Sequence, residues 1–375
     1  LWVRDNMPHI FQKAWKFVCF EDYLIFKLCG VTAISHSLAS RTMMLDIQKK
    51  KWSSEILETI GLDPDLLSEP YISGKIVGEV SSKSSQETGL AKGTAVLTGG
   101  HDQSCGALGV GITKEGPVMD ASGSVECIAA AMKKPVLTEK MLQSAQCCYC
   151  HTVEDMYLTL GFFPSSGIVL RWYRDTFAEK EKQEAVKTGK NVYDILTEMA
   201  SASPLAASKL LLLPHFVGSG TGPFYPLNRN SRGAIVGLSM FHKREDIIRA
   251  ILEGVAFELR RIIESIEDCK IGISEIRAVG GGAKSPFWLQ IKADVTNREM
   301  VVPDVTEAPS LGAAILAGIG TKTYMGFEDA VTKVYRKRAV YEPDAERTKL
   351  YDRYYRVYKK LYPALVKIFD DLALL

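Results

Sequence analysis

Apolar positions along the chain change period several times, and each change marks a predicted element. FEDYLIFKLCG (20–30) has helical spacing with Gly30 as its stop, and KKWSSEILETIGL (50–62) predicts a helix capped by Ser53 or Ser54 and ended by Gly61. Between them, SHSLASRTMMLDIQKKKW (35–52) keeps no single period, and residues 62–93, with scattered Pro, Gly and Ser, predict loops and short strands. GTAVLTGGHD (93–102) reads as a buried strand running into a glycine turn, which puts Asp102 at a strand's carboxyl end, where open α/β sheets bind ligands. From Gly116 a new unit begins: PVMDASGSVECIAAAM (117–132) predicts strand, tight turn and strand, and MYLTLGFF (156–163) and KLLLLPHF (209–216) predict buried strands. VLRWYRDTFAEKEKQEAV (169–186) predicts one amphipathic helix ending in a solvated charge run. RGAIVGLS (232–239) predicts a strand, and residues 243–267 a long helix with an apolar stripe at 247, 248, 251, 252, 255 and 256. Near the end, Tyr351, Tyr355, Tyr358 and Tyr362 recur at three- and four-residue steps of one helix, a packing stripe.

The length of 375 residues suggests two domains, here divided as 1–115 and 116–375. Lys plus Arg (46) nearly balances Asp plus Glu (44), which removes the electrostatic case for nucleic acid or an anionic membrane surface and leaves a small molecule as partner. No long apolar run and no signal-peptide pattern occur, so the expected location is cytoplasmic. The chain opens on Leu1 in a segment that already reads as packed structure, and missing upstream sequence is expected. Eight cysteines without a secretory signal read as reduced thiols. Cys147, Cys150 and His151 share the spacing of a c-type haem attachment site, but small buried thiols in a strand are the preferred reading over haem or zinc.

Three short segments carry candidate chemistry. GGHDQSCGALG (99–109) sets one carboxylate, Asp102, among glycines and beside His101 and Gln103, a density that suits close approach of a ligand to backbone. The turn Ser122-Gly123-Ser124 offers N–H groups and hydroxyls to an anion, with a plain hairpin as the alternative. In EIRAVGGGAKSPFWLQIKADV (275–295) a strand ends in Gly280-Gly281-Gly282, and Ser285-Pro286 starts a helix whose positive end faces the opening the glycines leave. A nucleotide fits that space; a tight turn without ligand is the alternative. EAPSLGAAILAGIG (307–320) is a small-residue helix suited to packing behind such a site.

In this order, DYLIFKLCG, GGHDQ, GAIVGLSMFHKREDIIRAILE (233–253), GGGAKSPFWLQIKADV and LGAAILAG resemble the FGGY family of carbohydrate kinases over essentially the whole chain. The resemblance implies an α/β, two-domain actin-like ATPase (ribonuclease H-like) fold of mixed sheets flanked by helices, with the first domain incomplete. It also implies ATP-dependent phosphorylation of a hydroxyl on a sugar, polyol or sugar acid, with Mg²⁺ as cofactor, and it allows a homodimer. Asp102 matches the family's base, and His101 and Gln103 flank it at the substrate. Ser122, Gly123 and Ser124 match a phosphate-binding turn in which Gly-Thr is commoner. Gly220 and Thr221 lie in a loop (218–223) that touches ATP in the family, and Gly281, Gly282, Ala283 and Lys284 match its adenosine motif. No DxGTS-type turn for phosphate and Mg²⁺ stands upstream of Asp102, so the metal ligands stay unassigned and a catalytically inactive nucleotide-binding remnant is the alternative. The SHSLAS segment (35–40) lacks the acid common in relatives; His36 is read as a structural histidine ahead of a substrate contact.

Overall fold

The computed structural model describes residues 1–220 and 228–375, so Thr221 lies outside the described residues. In chain order, the elements that position the site are α1 (Phe20–Cys29), α2 (Asp102–Gly109), β1 (Gly116–Ser122), β2 (Glu126–Met132), β3 (Tyr149–Cys150) and β4 (Tyr157–Phe163). They continue with α3 (Arg244–Asp268), β5 (Ile273–Val279), α4 (Pro286–Thr296), β6 (Glu299–Pro303), α5 (Ala308–Gly320), β7 (Lys337–Tyr341) and α6 (Ala345–Tyr358).

The seven strands form one mixed sheet in the order β7-β6-β5-β1-β2-β4-β3. β1 and β2 are an antiparallel hairpin extended by β4, and β5 and then β6 add on the other side of β1 in parallel. Parallel neighbours need long crossovers, supplied from β5 to β6 by α4. Both faces of the sheet are covered, which is why β2 is apolar at almost every position rather than alternating. Val118, Ile128, Ala130, Ile276 and Ala278 pack with Leu259, Ile262 and Ile263 of α3 and Leu289 of α4. Met119, Cys127, Ala129 and Leu158 face the other way, with Ala107 of α2 and Ala308 of α5. Helices α2 and α5 approach to backbone contact: a Cβ at Gly109 would collide with the Ala308 carbonyl, and one at Gly312 with the Cys105 carbonyl. The small-residue helix, expected behind the 280–284 loop, therefore packs instead against the helix that Asp102 opens.

Residues 1–115 contain three two-stranded pairs: Ala33–Ser35 with Glu69–Tyr71, Leu45–Asp46 with Lys51–Trp52, and Ile76–Glu79 with Ala95–Leu97. Among the described residues no helix is long and apolar enough to cross a membrane.

Several expectations need correction. The strand before Asp102 is only Ala95–Leu97, paired in a two-stranded ribbon rather than an open sheet, and Asp102 opens helix α2. Glycine density hid that helix, because Gly106 and Gly109 are small for packing against Met119 and α5. Helix Ser82–Thr88, capped by Ser81, stands where loops and strands were expected. The single helix expected over 169–186 breaks at buried Ala178, whose φ/ψ of −107°/39° is off-helix. The tyrosine helix likewise breaks after Tyr358 and resumes at Leu361, leaving Tyr362 on the second piece. The stripe is nevertheless packing: Tyr351, Tyr355 and Tyr358 are buried.

Candidate active site

Two of the segments singled out in the sequence, the 122–124 turn and the 280–284 loop, meet at one end of the sheet. Parallel register sets Val279 at the end of β5 beside Ala121 of β1, so the turn after Ser122 and the loop after Val279 emerge side by side. Gly280, at φ +85°, passes so close that a Cβ would lie 2.7 Å from the Ser122 carbonyl, and one at Gly282 would collide with Ser122 Oγ. The glycines thus let the loop lie against the turn. Gly123 and Ser124 are exposed at the tip, as are Gly281 and Lys284, whereas Ser122 and Ala283 are buried, the latter in the core under α4. Ser285 caps α4 by accepting the Trp288 N–H (3.3 Å), with Pro286 in the first turn, as the sequence signature requires. The segment 165–167 closes the third side: Ser166 and Gly167 N–H groups donate to the Ser124 and Gly123 carbonyls (3.1 and 3.0 Å). Ser165 Oγ then receives the Val217 N–H (3.0 Å), drawing the loop that leads to buried Gly220 against Phe162 and Phe163.

His101, Asp102 and Gln103 sit at the amino end of α2. Asp102 is exposed; its Oδ1 accepts the Gln103 N–H (2.7 Å) and lies 3.2 Å from His101 Nε2. Desolvation lowers the His101 pKa against the pull of Asp102, and the charge of Arg41 lowers it further. The shift favours the neutral imidazole beside the carboxylate. Gln103 Oε1 is buried with no partner among the described residues.

Two residues hold this corner: Glu21, which the sequence reading passed over, and His151, which it weighed only within the Cys147–Cys150 cluster. Glu21 of α1, half-buried, accepts from Gly99 N–H (2.8 Å), Ser35 Oγ–H (2.8 Å) and Ser35 N–H (3.2 Å). One carboxylate thus ties the approach to Asp102 to the segment carrying His36. Desolvation outweighs those bonds and raises the Glu21 pKa to about 7. His151 is buried, with Nε2 3.1 Å from the Ile112 carbonyl and Nδ1 3.1 Å from Ser104 Oγ, and burial lowers its pKa to about 4. It braces α2 from behind; Gly100 is a glycine because a Cβ there would collide with the neighbouring Thr152. With both ring nitrogens engaged, His151 is not a haem ligand in this fold, and burial pushes the Cys147, Cys148 and Cys150 thiols up to about 11. His36 is half-buried, its pKa lowered by desolvation. No spacing rule pointed to Glu21, which lies 78 residues before Gly99.

The model of the N-terminal domain of the FGGY family of carbohydrate kinases matches residues 1–109, and that of the C-terminal domain matches residues 123–321. The chain belongs to the FGGY family of carbohydrate kinases. Xylulose kinase of Bacillus subtilis (strain 168) is 30% identical over 362 residues, 96% of this chain and 69% of the relative. Gluconokinase of the same organism is 32% identical over 340 residues, 89% of this chain and 65% of the relative. The crystal structure of xylulose kinase from Rhodospirillum rubrum superposes with a TM-score of 0.85 at 26% identity, covering 98% of this chain and 72% of that one. The activity of this FGGY chain is accordingly ATP-dependent phosphorylation of a carbohydrate. The inactive-remnant alternative gains no support from these relationships.

Proposed function

We propose that Asp102 is the general base of this kinase and that MgATP is held across the 122–124 turn and the 280–284 loop. Phosphoryl transfer asks the protein mainly for positioning and charge stabilisation, with one carboxylate to orient the attacking hydroxyl. The observation that supports this most is an exposed carboxylate at the start of a helix held by backbone-to-backbone packing. Asp102 would accept the hydroxyl proton as its oxygen attacks the γ-phosphorus. Gln103, whose carbonyl oxygen lacks a partner among the described residues, would take a neighbouring hydroxyl after rotation of its amide, and His101 would orient Asp102. The exposed Ser124 at the tip of the turn suits phosphate oxygens, whereas the Gly123 N–H is donated to the Val125 carbonyl (2.9 Å) and shapes the turn; Gly281, Gly282, Ala283 and Lys284 suit the adenosine, Gly220 would support them from below, and Thr221 follows it in the sequence.

No group of three or more His, Cys, Asp or Glu among the described residues could hold a metal by itself. Mg²⁺ therefore fits this site as a passenger of the nucleotide, coordinated chiefly by phosphate oxygens and water. The proposed substrate class is a ketose or an aldonic acid, on the strength of the relatives named for xylulose and gluconate. A cytoplasmic location and a homodimer belong to the same reading, the latter open to light scattering. The test is ADP release with MgATP against ketoses, polyols and aldonic acids. Turnover on one class supports the reading, and no turnover on any, with ATP binding intact, would overturn it.

A further inference from the structure

A buried ion cluster lies directly beneath the 122–124 turn. Lys292 of α4, 1% exposed, donates from Nζ to Asp120 Oδ2 (2.9 Å), to Ser122 Oγ (2.9 Å) and to Glu126 Oε1. Ser122 Oγ in turn donates to Glu126 Oε2 (3.1 Å), which also receives the Ser166 hydroxyl. The Trp288 ring covers the ammonium at 4.9 Å from its centroid. Asp120 and Ser122 close β1 and Glu126 opens β2, so the lysine sits in the fork of the hairpin whose tip faces solvent.

Two carboxylates and an ammonium out of water are costly, and an apolar filler of this fork would often be neutral or stabilising. Burial, with the neighbouring Glu126 charge, raises the Asp120 pKa well above its usual range. What the cluster does supply is geometry. Ser122 Oγ is held by Lys292 and Glu126 on one side and lies against Gly282 on the other. Lys292 rides on the helix that begins immediately after the 280–284 loop. Ser166, the third arm, belongs to the segment that takes up the Gly123 and Ser124 carbonyls. One ammonium therefore connects all three walls.

We propose that Lys292 is a positioning residue for nucleotide binding, its ammonium setting the separation between the Ser122–Ser124 turn and the Gly280–Lys284 loop without contacting the nucleotide. The inference rests on the reading that these two loops hold ATP.

Lys292→Met alone strands two carboxylates and risks unfolding, so the decisive variant of the full-length protein is Asp120→Asn/Glu126→Gln/Lys292→Met, which keeps the shape and removes the charge. Its Kd for ADP, measured by calorimetry, and its KM for MgATP should rise about tenfold or more, the usual scale for losing a hydrogen bond to a charged group. The carbohydrate KM should stay within about twofold, a change too small to signal a lost contact. Unchanged nucleotide affinity, equal rises for both substrates, or unfolding of this triple variant would overturn the assignment and leave Lys292 purely structural. Failure of wild-type protein to bind ADP, or normal ADP affinity in Gly282→Val, would overturn the nucleotide-site reading itself, and this inference with it.

Discussion

Residues 116–375 build a seven-stranded sheet covered on both faces, whereas residues 1–115 contain two-stranded pairs and short helices with Trp2, Trp15 and Phe20 largely exposed. The two regions hold their functional residues by different means. In the sheet region, the loops proposed to hold the nucleotide inherit their positions from strand register, with the buried cluster centred on Lys292 between them. In the first region, Asp102 opens a helix that only rests on the sheet, through Ala107. Its place comes from the touching backbones of α2 and α5 and from the bonds Glu21 makes 78 residues away in sequence. A site assembled in the second way depends on a few close contacts, so it should be easier to disturb selectively.

The largest separation of the two halves is expected from Asp102→Asn. Loss of a general base should lower kcat by about 10²–10⁴-fold, while calorimetric ADP affinity remains that of the parent. Near-normal turnover in this variant would remove Asp102 from its role.

Next comes the pH dependence written into Glu21. Its folded pKa is raised from 4.5 to about 7, so the stability this group contributes is full below about pH 4.5 and is lost as pH rises through 7. At about 1.36 kcal/mol per pKa unit the loss is up to about 3 kcal/mol. Glu21→Gln should flatten that part of a Tm-against-pH curve measured from pH 5 to 7.5, and parallel curves for variant and parent would contradict it.

Gly312→Ala tests the backbone contact itself. Its Cβ would run into the Cys105 carbonyl and push α2 away from α5, at a cost of about 1–3 kcal/mol in urea unfolding. The carbohydrate side should suffer first: the KM for carbohydrate should rise with the KM for MgATP little changed. The smallest effect is expected from Ser285→Ala, which deletes the cap of α4 and should cost about 1 kcal/mol. An unchanged urea midpoint there would mean the cap is redundant with the Pro286 turn.

Much of the sheet region was legible in the sequence because its signals are local. The hairpin around 122–124, the cap at Ser285 and the stripe on α3 each follow from residues within one or two turns of one another. Helix α2 was hidden because its glycines, which lower helix propensity, are required by the neighbour they pack against. The breaks at Ala178 and after Tyr358 went unseen for a related reason: apolar periodicity carries across both, and only packing decides where the backbone departs from the helix. At Cys147, Cys150 and His151 the ligand-like spacing resolves, as preferred from the sequence, into thiols, one half-buried and one buried, while the bracing of α2 by His151 was visible only in the fold.

By itself the sequence determined the class of fold, the family and the segments that carry chemistry, since each of these is encoded by periodicity and motif within short windows. The tertiary structure alone decided which of those segments meet, that Asp102 begins a helix, that burial lowers the His101 pKa beside it, and that Glu21 and Lys292 hold the loops. Those properties depend on desolvation and on contacts between residues far apart in the chain, and neither quantity exists before the chain has closed on itself.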